Sequence, residues 1–227
     1  MEITIRQPAG FGDIFFCQKI AVKLMELGHT VYWPVIPEYQ YVDQYIQNGI
    51  IWKEAGHETF ELDLANATKH IDWTGRGSWK DNLMEAKYMY ANQFFPIGNN
   101  KSWWKFFNLT NRYYEKEQAL CDLLLTEEHK NGFCLFNKHF ATECYTIRKL
   151  KFESKYPMIE IVKIPGYNLF DWCAMLEKAK EIRIPDSSFP YLVEILETTG
   201  KLFMYNRDTE THIRTKDVWH KKWRFVE

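Results

Sequence analysis

The sequence predicts an α/β protein built of two small Rossmann-like domains that face each other across a cleft. Two observations predict this fold. The chain opens as strand, glycine turn, helix and strand, and the same alternation restarts after Gly132. Each half also carries one polar turn between a strand and a helix.

In the first half, Ile3 and Ile5 begin a short strand, and Gly10 and Gly12 allow a tight turn with close backbone approach. Ile14, Phe15, Ile20, Ala21, Leu24 and Leu27 then form one wide helical face that stops at Gly28. Thr30 to Ile36 reads as the next strand, Glu38 to Asn48 as a helix ended by Gly49, and Ile50 to Trp52, Phe60 to Leu64 and His70 to Trp73 as further strands. Helical spacing resumes from Trp79 to Phe95 and again from Asn111 to Glu127. The aromatic residues crowded between them, Trp103, Trp104, Phe106 and Phe107 included, suit a layer-filling core, with a minority available to stack on a sugar ring.

The polar run His129 to Gly132 marks the boundary, giving domains 1–128 and 129–227. Strands are expected at Phe133 to Phe136, Met158 to Ile164, Glu181 to Ile184 and Leu202 to Tyr205, with helices at Leu169 to Lys180 and Phe189 to Thr199. The basic, aromatic tail Asp217 to Glu227 is expected to return to the first half.

Composition removes several classes of function. Twenty-nine Lys and Arg balance 30 Asp and Glu, and no long basic run addresses a nucleic-acid backbone. The five cysteines, Cys17, Cys121, Cys134, Cys144 and Cys173, contain no Cys-x-x-Cys pair and suit reduced, buried packing. No signal peptide and no apolar run long enough to span a membrane is visible, so a cytoplasmic protein is expected. Asp-x-Asp and His-x-x-x-His are absent, so no catalytic metal is expected, and neither a Walker loop nor a Gly-x-Ser-x-Gly turn occurs.

The chemistry is expected at the two turns, Gly10-Phe11-Gly12-Asp13 and Pro185-Asp186-Ser187-Ser188. Ligands of open parallel sheets bind beyond the carboxyl ends of strands, where helix amides can hold phosphate. Asp13 and Ser187 could equally cap their helices. A carboxylate at Asp13 could instead take a proton from an attacking hydroxyl.

Strand-Gly10-Phe11-Gly12-Asp13-helix at the start, and strand, helix, strand, Asp186-Ser187, helix near the end, resemble two-Rossmann-domain (GT-B) glycosyltransferases of the lipopolysaccharide heptosyltransferase family. The family's late Asp-Ser-Gly-x-x-His turn contacts the nucleotide sugar; Ser188 and Tyr191 replace its Gly and His here. The resemblance implies Asp13 as base, Gly10, Phe11 and Gly12 as the acceptor-side loop, and Asp186, Ser187 and Ser188 as donor-binding residues. Lys138, beyond the strand Phe133 to Asn137, is the first choice for a phosphate contact, ahead of Arg148 and Lys149.

The expected activity is metal-independent, inverting transfer of a sugar from a nucleoside-diphosphate sugar to a saccharide or glycan hydroxyl, with no resident cofactor, nucleic-acid partner or membrane span. A nucleotide-sugar epimerase or hydrolase, and a non-catalytic carbohydrate-binding or assembly module, are the alternatives.

Overall fold

The computed structural model describes residues 1–72, 74, 83–140, 145–146, 152–207 and 215–226. The sequence-expected loop and helix start over 75–82, with Trp79, and Cys144, Arg148 and Lys149 lie outside these residues. The chain divides into two compact units, Met1–Asn111 and Arg112–Glu227.

The first unit begins with β1 (Glu2–Ile5), α1 (Phe11–Phe16), α2 (Gln18–Glu26) and β2 (Thr30–Tyr32). Short α3 (Val42–Tyr45), β3 (Phe60–Leu62) and α4 (Leu83–Ala91) follow. β1 is central and parallel to both neighbours, in the order β2-β1-β3. Ile3 and Ile5 on β1 are fully buried, as a strand covered by helices requires; each contributes roughly 1.5–3 kcal/mol of transfer free energy. Gly28 ends α2 at φ 82°, and the amide of His29 reaches back to the Leu24 carbonyl at 3.1 Å, a left-handed helix stop open to glycine.

Three expected elements differ. Asp63 accepts from the amide of Asn66 at 3.1 Å and its Nδ2 at 2.9 Å, turning the chain into a 3-10 helix at Ala67–His70, so that His70, where the strand expected over 70–73 begins, closes a helical turn instead. Ile50 to Trp52 contributes one parallel bridge, Ile51 with Tyr32. The expected helix over 38–48 breaks into a 3-10 turn at Pro37–Tyr39 and the single turn of α3. Most of the aromatic middle is core: Phe15 stacks on Phe107 at 4.3 Å, and Phe16 meets Tyr88 and Trp103 at 5.2 and 5.5 Å.

The second unit contains α5 (Tyr114–Leu124), β4 (Cys134–Phe136) and the hairpin β5 (His139–Phe140) and β6 (Tyr145–Thr146). Then come β7 (Met158–Glu160), α6 (Cys173–Lys178), β8 (Glu181–Pro185), α7 (Ser188–Ile195), β9 (Lys201–Tyr205) and β10 (Trp223–Val226). The main sheet is fully parallel, in the order β10-β9-β8-β4-β7. α5, placed in the first half on sequence grounds, belongs to this unit: Arg112 and Glu117 join Glu177 on α6, with Arg112 forks at 2.8 and 2.9 Å from Glu177. The tail supplies β10 at the edge of this sheet.

Cys17, Cys121, Cys134 and Cys173 are buried, unbridged thiols, and burial pushes Cys134 up to about 11. Among the described residues no helix is long and apolar enough to cross a membrane.

A single buried carboxylate fastens the tail. Glu194 on α7 accepts from the His220 amide at 2.9 Å and the Trp223 indole at 2.7 Å, and pairs with the His220 ring. Glu194→Ala would leave these donors unmet, and the loss of several bonds to one buried carboxylate is expected to cost about 3 kcal/mol or more. The check is a denaturant titration, with hydrogen exchange showing loss of protection over 220–226. Gly200 tests the sheet from the other end, because a Cβ there would overlap the Ala179 carbonyl and meet the Lys180 carbonyl at 3.0 Å. Since both neighbours are backbone, Gly200→Ala is expected to lower stability by roughly 1–3 kcal/mol.

Candidate functional site

Each sheet changes direction at one point, and the candidate residues gather there. In the first unit β1 connects toward β2 on one side, while β3 pairs on its other side, so the switch point lies between the carboxyl ends of β1 and β3. The turn after β1 occupies it. Gly10 adopts φ 81°, which calls for glycine, and a Cβ there would meet Asp13 Oδ2 at 2.6 Å and push the carboxylate aside. Gly12 sits inside α1, where its small size rather than a special φ is what it offers.

This turn is braced on every side. The Trp33 indole donates to the Gln7 carbonyl at 3.0 Å, the Ile36 amide to the Pro8 carbonyl at 3.0 Å, and Gln7 Nε2 to the Ala9 carbonyl at 2.6 Å. Phe11 stacks on Tyr39 with centroids 3.9 Å apart and lies 5.6 Å from Tyr41. An aromatic cluster therefore stands on the turn two residues before Asp13.

Asp13 stands in the first turn of α1, whose N-cap is Gly10. Its Oδ1 lies 3.2 Å from Nζ of Lys87, with the aspartate side chain 30% exposed and the lysine side chain 3%. Lys87 comes from α4 and also donates to Gln7 Oε1 at 2.7 Å and to the Leu64 carbonyl at 2.9 Å. Sequence reasoning passed over Lys87. The available signal was a cation within the otherwise apolar helical run of Met84, Ala86, Tyr88 and Ala91, where a buried charge needs a partner.

In the second unit the switch point lies between β4 and β8, since β7 pairs on one side of β4 and β9 on the far side of β8. Lys138 follows β4, and Asp186, Ser187 and Ser188 follow β8, so these four stand at the carboxyl ends of adjacent strands. The Asn137 amide ties the two ends by donating to the Arg183 carbonyl at 3.0 Å. Lys138 is about one-third exposed, lies 3.6 Å from Glu160 at the end of β7 and sits over the Phe136 ring at 5.1 Å.

Ser187 stands at the N-cap of α7 yet makes no capping bond with its side chain. Its Oγ is buried without a hydrogen-bond partner in the described structure. Asp186 is buried, and its carbonyl accepts from Arg207 Nε at 2.6 Å. Arg207 is a second residue that sequence reasoning missed; its position two residues beyond β9 was the signal. The edge thus presents Lys138, Arg207, a buried hydroxyl and the amides of α7, a set of donors suited to an anionic group.

No protein-family model matches the sequence, and no curated protein matches it as a relative. Solved structures do. A glycosyl transferase of family 9 from Veillonella parvula aligns with a TM-score of 0.55 at 8% identity, over 100% of this chain and 87% of that one. The E. coli heptosyltransferase WaaC, solved with ADP-2-deoxy-2-fluoro heptose, aligns at 0.54 and 10% identity, over 100% and 93%. The E. coli ADP-heptose lps heptosyltransferase II aligns at 0.50 and 9% identity, over 100% and 90%. Likeness at such identity is one of fold: the chain has the mixed α/β fold, with parallel sheets, of these GT-B-like glycosyltransferases.

Proposed function

We propose that this chain is a glycosyltransferase that moves a sugar from a nucleoside-diphosphate sugar to a saccharide hydroxyl. One observation carries the reading: in both units the polar side chains collect at the carboxyl ends of parallel strands, at the switch point. In the reading, Lys138, Ser187, Ser188 and the α7 amides take the donor diphosphate, and Asp186 holds the turn that presents them. The fold likeness to solved glycosyl- and heptosyltransferases supports the same class, and WaaC was solved with an ADP sugar analogue.

The proposed step is an inverting displacement without a metal. The acceptor oxygen forms a bond to the anomeric carbon as the bond from that carbon to the diphosphate oxygen breaks. The bonding pair leaves with the diphosphate, where Lys138 and the amides offset the added charge. The hydroxyl proton passes to the Asp13 carboxylate. Phe11, with Gly10 and Gly12 behind it, forms the acceptor-side wall. The cytoplasm, where nucleotide sugars are made, is the compartment this activity suits.

Donor identity is tested by thermal shift with ADP, UDP, GDP, CMP and dTDP and their sugars, beginning with ADP sugars. A ligand at a hundred times its dissociation constant stabilises the folded chain by roughly 2.7 kcal/mol. One nucleotide is expected to raise the melting temperature, and Ser187→Ala and Asp186→Asn are expected to weaken that shift. No response to any nucleotide would move the reading to a carbohydrate-binding module.

Asp13→Asn is expected to lower the transfer rate by about a hundredfold or more while leaving the donor dissociation constant within about twofold. Rate measured by nucleotide release, with product analysis for free sugar, checks this. Full transfer by the variant would end the assignment of Asp13 as base.

A further inference from the structure

The Lys87 ammonium donates to Gln7 Oε1 at 2.7 Å and to the Leu64 carbonyl at 2.9 Å, and forms an ion pair with Asp13 Oδ1 at 3.2 Å. These partners all lie within the first unit. The Lys87 side chain is 3% exposed, so it is turned to these partners and away from solvent. Among the described residues its charged partner is Asp13.

The geometry points to Lys87 as a positioning residue for Asp13, a buried ammonium that fixes Oδ1 while leaving Oδ2 as the oxygen that receives a proton. This rests on the reading of Asp13 as base. The arrangement has a division of labour. Oδ1 is turned inward to the ammonium, and Oδ2 lies over Gly10, on the side of the turn where the missing Cβ leaves room.

The other groups around the pair leave it as the dominant charge interaction. Cys17, at the end of α1, is pushed up to about 12, first by burial, and stays a neutral thiol. The Tyr88 phenol on α4 is raised by burial and donates to the Phe16 carbonyl at 2.7 Å. At the end of β3, Asp63 turns to Asn66, and on the 3-10 turn packed against α4, His70 stacks on Tyr90 at 4.7 Å while Lys69 is exposed. Gln7 and the Leu64 carbonyl carry no charge.

Losing the ammonium removes the partner that orients Oδ1. In Lys87→Met, the Asp13 side chain, its resonances assigned by their loss in Asp13→Asn, is expected to average over rotamers, read by its three-bond χ1 couplings, while Lys87→Arg, which keeps a cation there, is expected to retain a single rotamer. An unchanged single rotamer in Lys87→Met overturns the inference. Should Lys87→Met fail to fold, Lys87→Gln decides by the same couplings: averaging supports the inference, and a retained single rotamer overturns it. Neither measurement needs donor or acceptor, so a failure here and a failure of the transferase reading are separate results.

Discussion

Two parallel strands cannot be joined by a tight hairpin, and every connection must cross over the sheet and return to the same end. That constraint shapes both units. It puts all strand-to-helix turns at the carboxyl edge, and it leaves a crevice wherever the chain reverses the direction in which it adds strands. The turns after β1, β4, β8 and β9 are the places where irregular backbone and polar side chains can stand beside free helix amides. Asp13, Lys138, Asp186 to Ser188 and Arg207 all occur there.

A second constraint is the cost of placing charge inside such small units. The chain meets it by saturating each buried ionic group. Lys87 donates to an amide oxygen and a backbone carbonyl and pairs with Asp13, and Glu194 accepts from two backbone amides, an indole and an imidazole. Arg112 forks between Glu117 and Glu177, and the buried Asp171 meets Lys116 at 2.9 Å and the Asn168 amide at 2.7 Å. One buried polar atom that does not follow this pattern is instructive. Ser187 Oγ, at the amino end of α7, is buried without a partner, and it lies where an anionic ligand is proposed to bind.

The parts of the fold legible in the sequence were those with strong local signals. Alternation around Ile3 and Ile5, the glycine at 28 and the apolar run of Leu192 and Val193 each report local backbone preference, and β1, α2 and α7 followed. His70 was misread because its conformation is set by the side chain of Asp63 seven residues earlier, a turn bond that hydrophobic period does not register. At the candidate site, Asp13 and Ser187 were legible as turn residues. Lys87 was not, because its role depends on α4 bringing residue 87 against residues 7, 13 and 64, which lie 80, 74 and 23 positions earlier in the chain. Arg207 was hidden in the same way by the return of β9 beside β8.

The tail clamp has a meaning for solubility. β10 covers one side of β9, pairing along Leu202 to Tyr205, and so it is the strand that stands between β9 and any other chain. It carries the exposed Arg224 and Phe225 on opposite faces, which makes it a poorer template for a further strand than β9 with Leu202 and Met204 would be. Glu194 therefore guards an edge as well as holding a tail. When its hold on His220 and Trp223 is released, the groups uncovered are the unpaired amides and carbonyls of β9, and the route they open is strand addition between molecules.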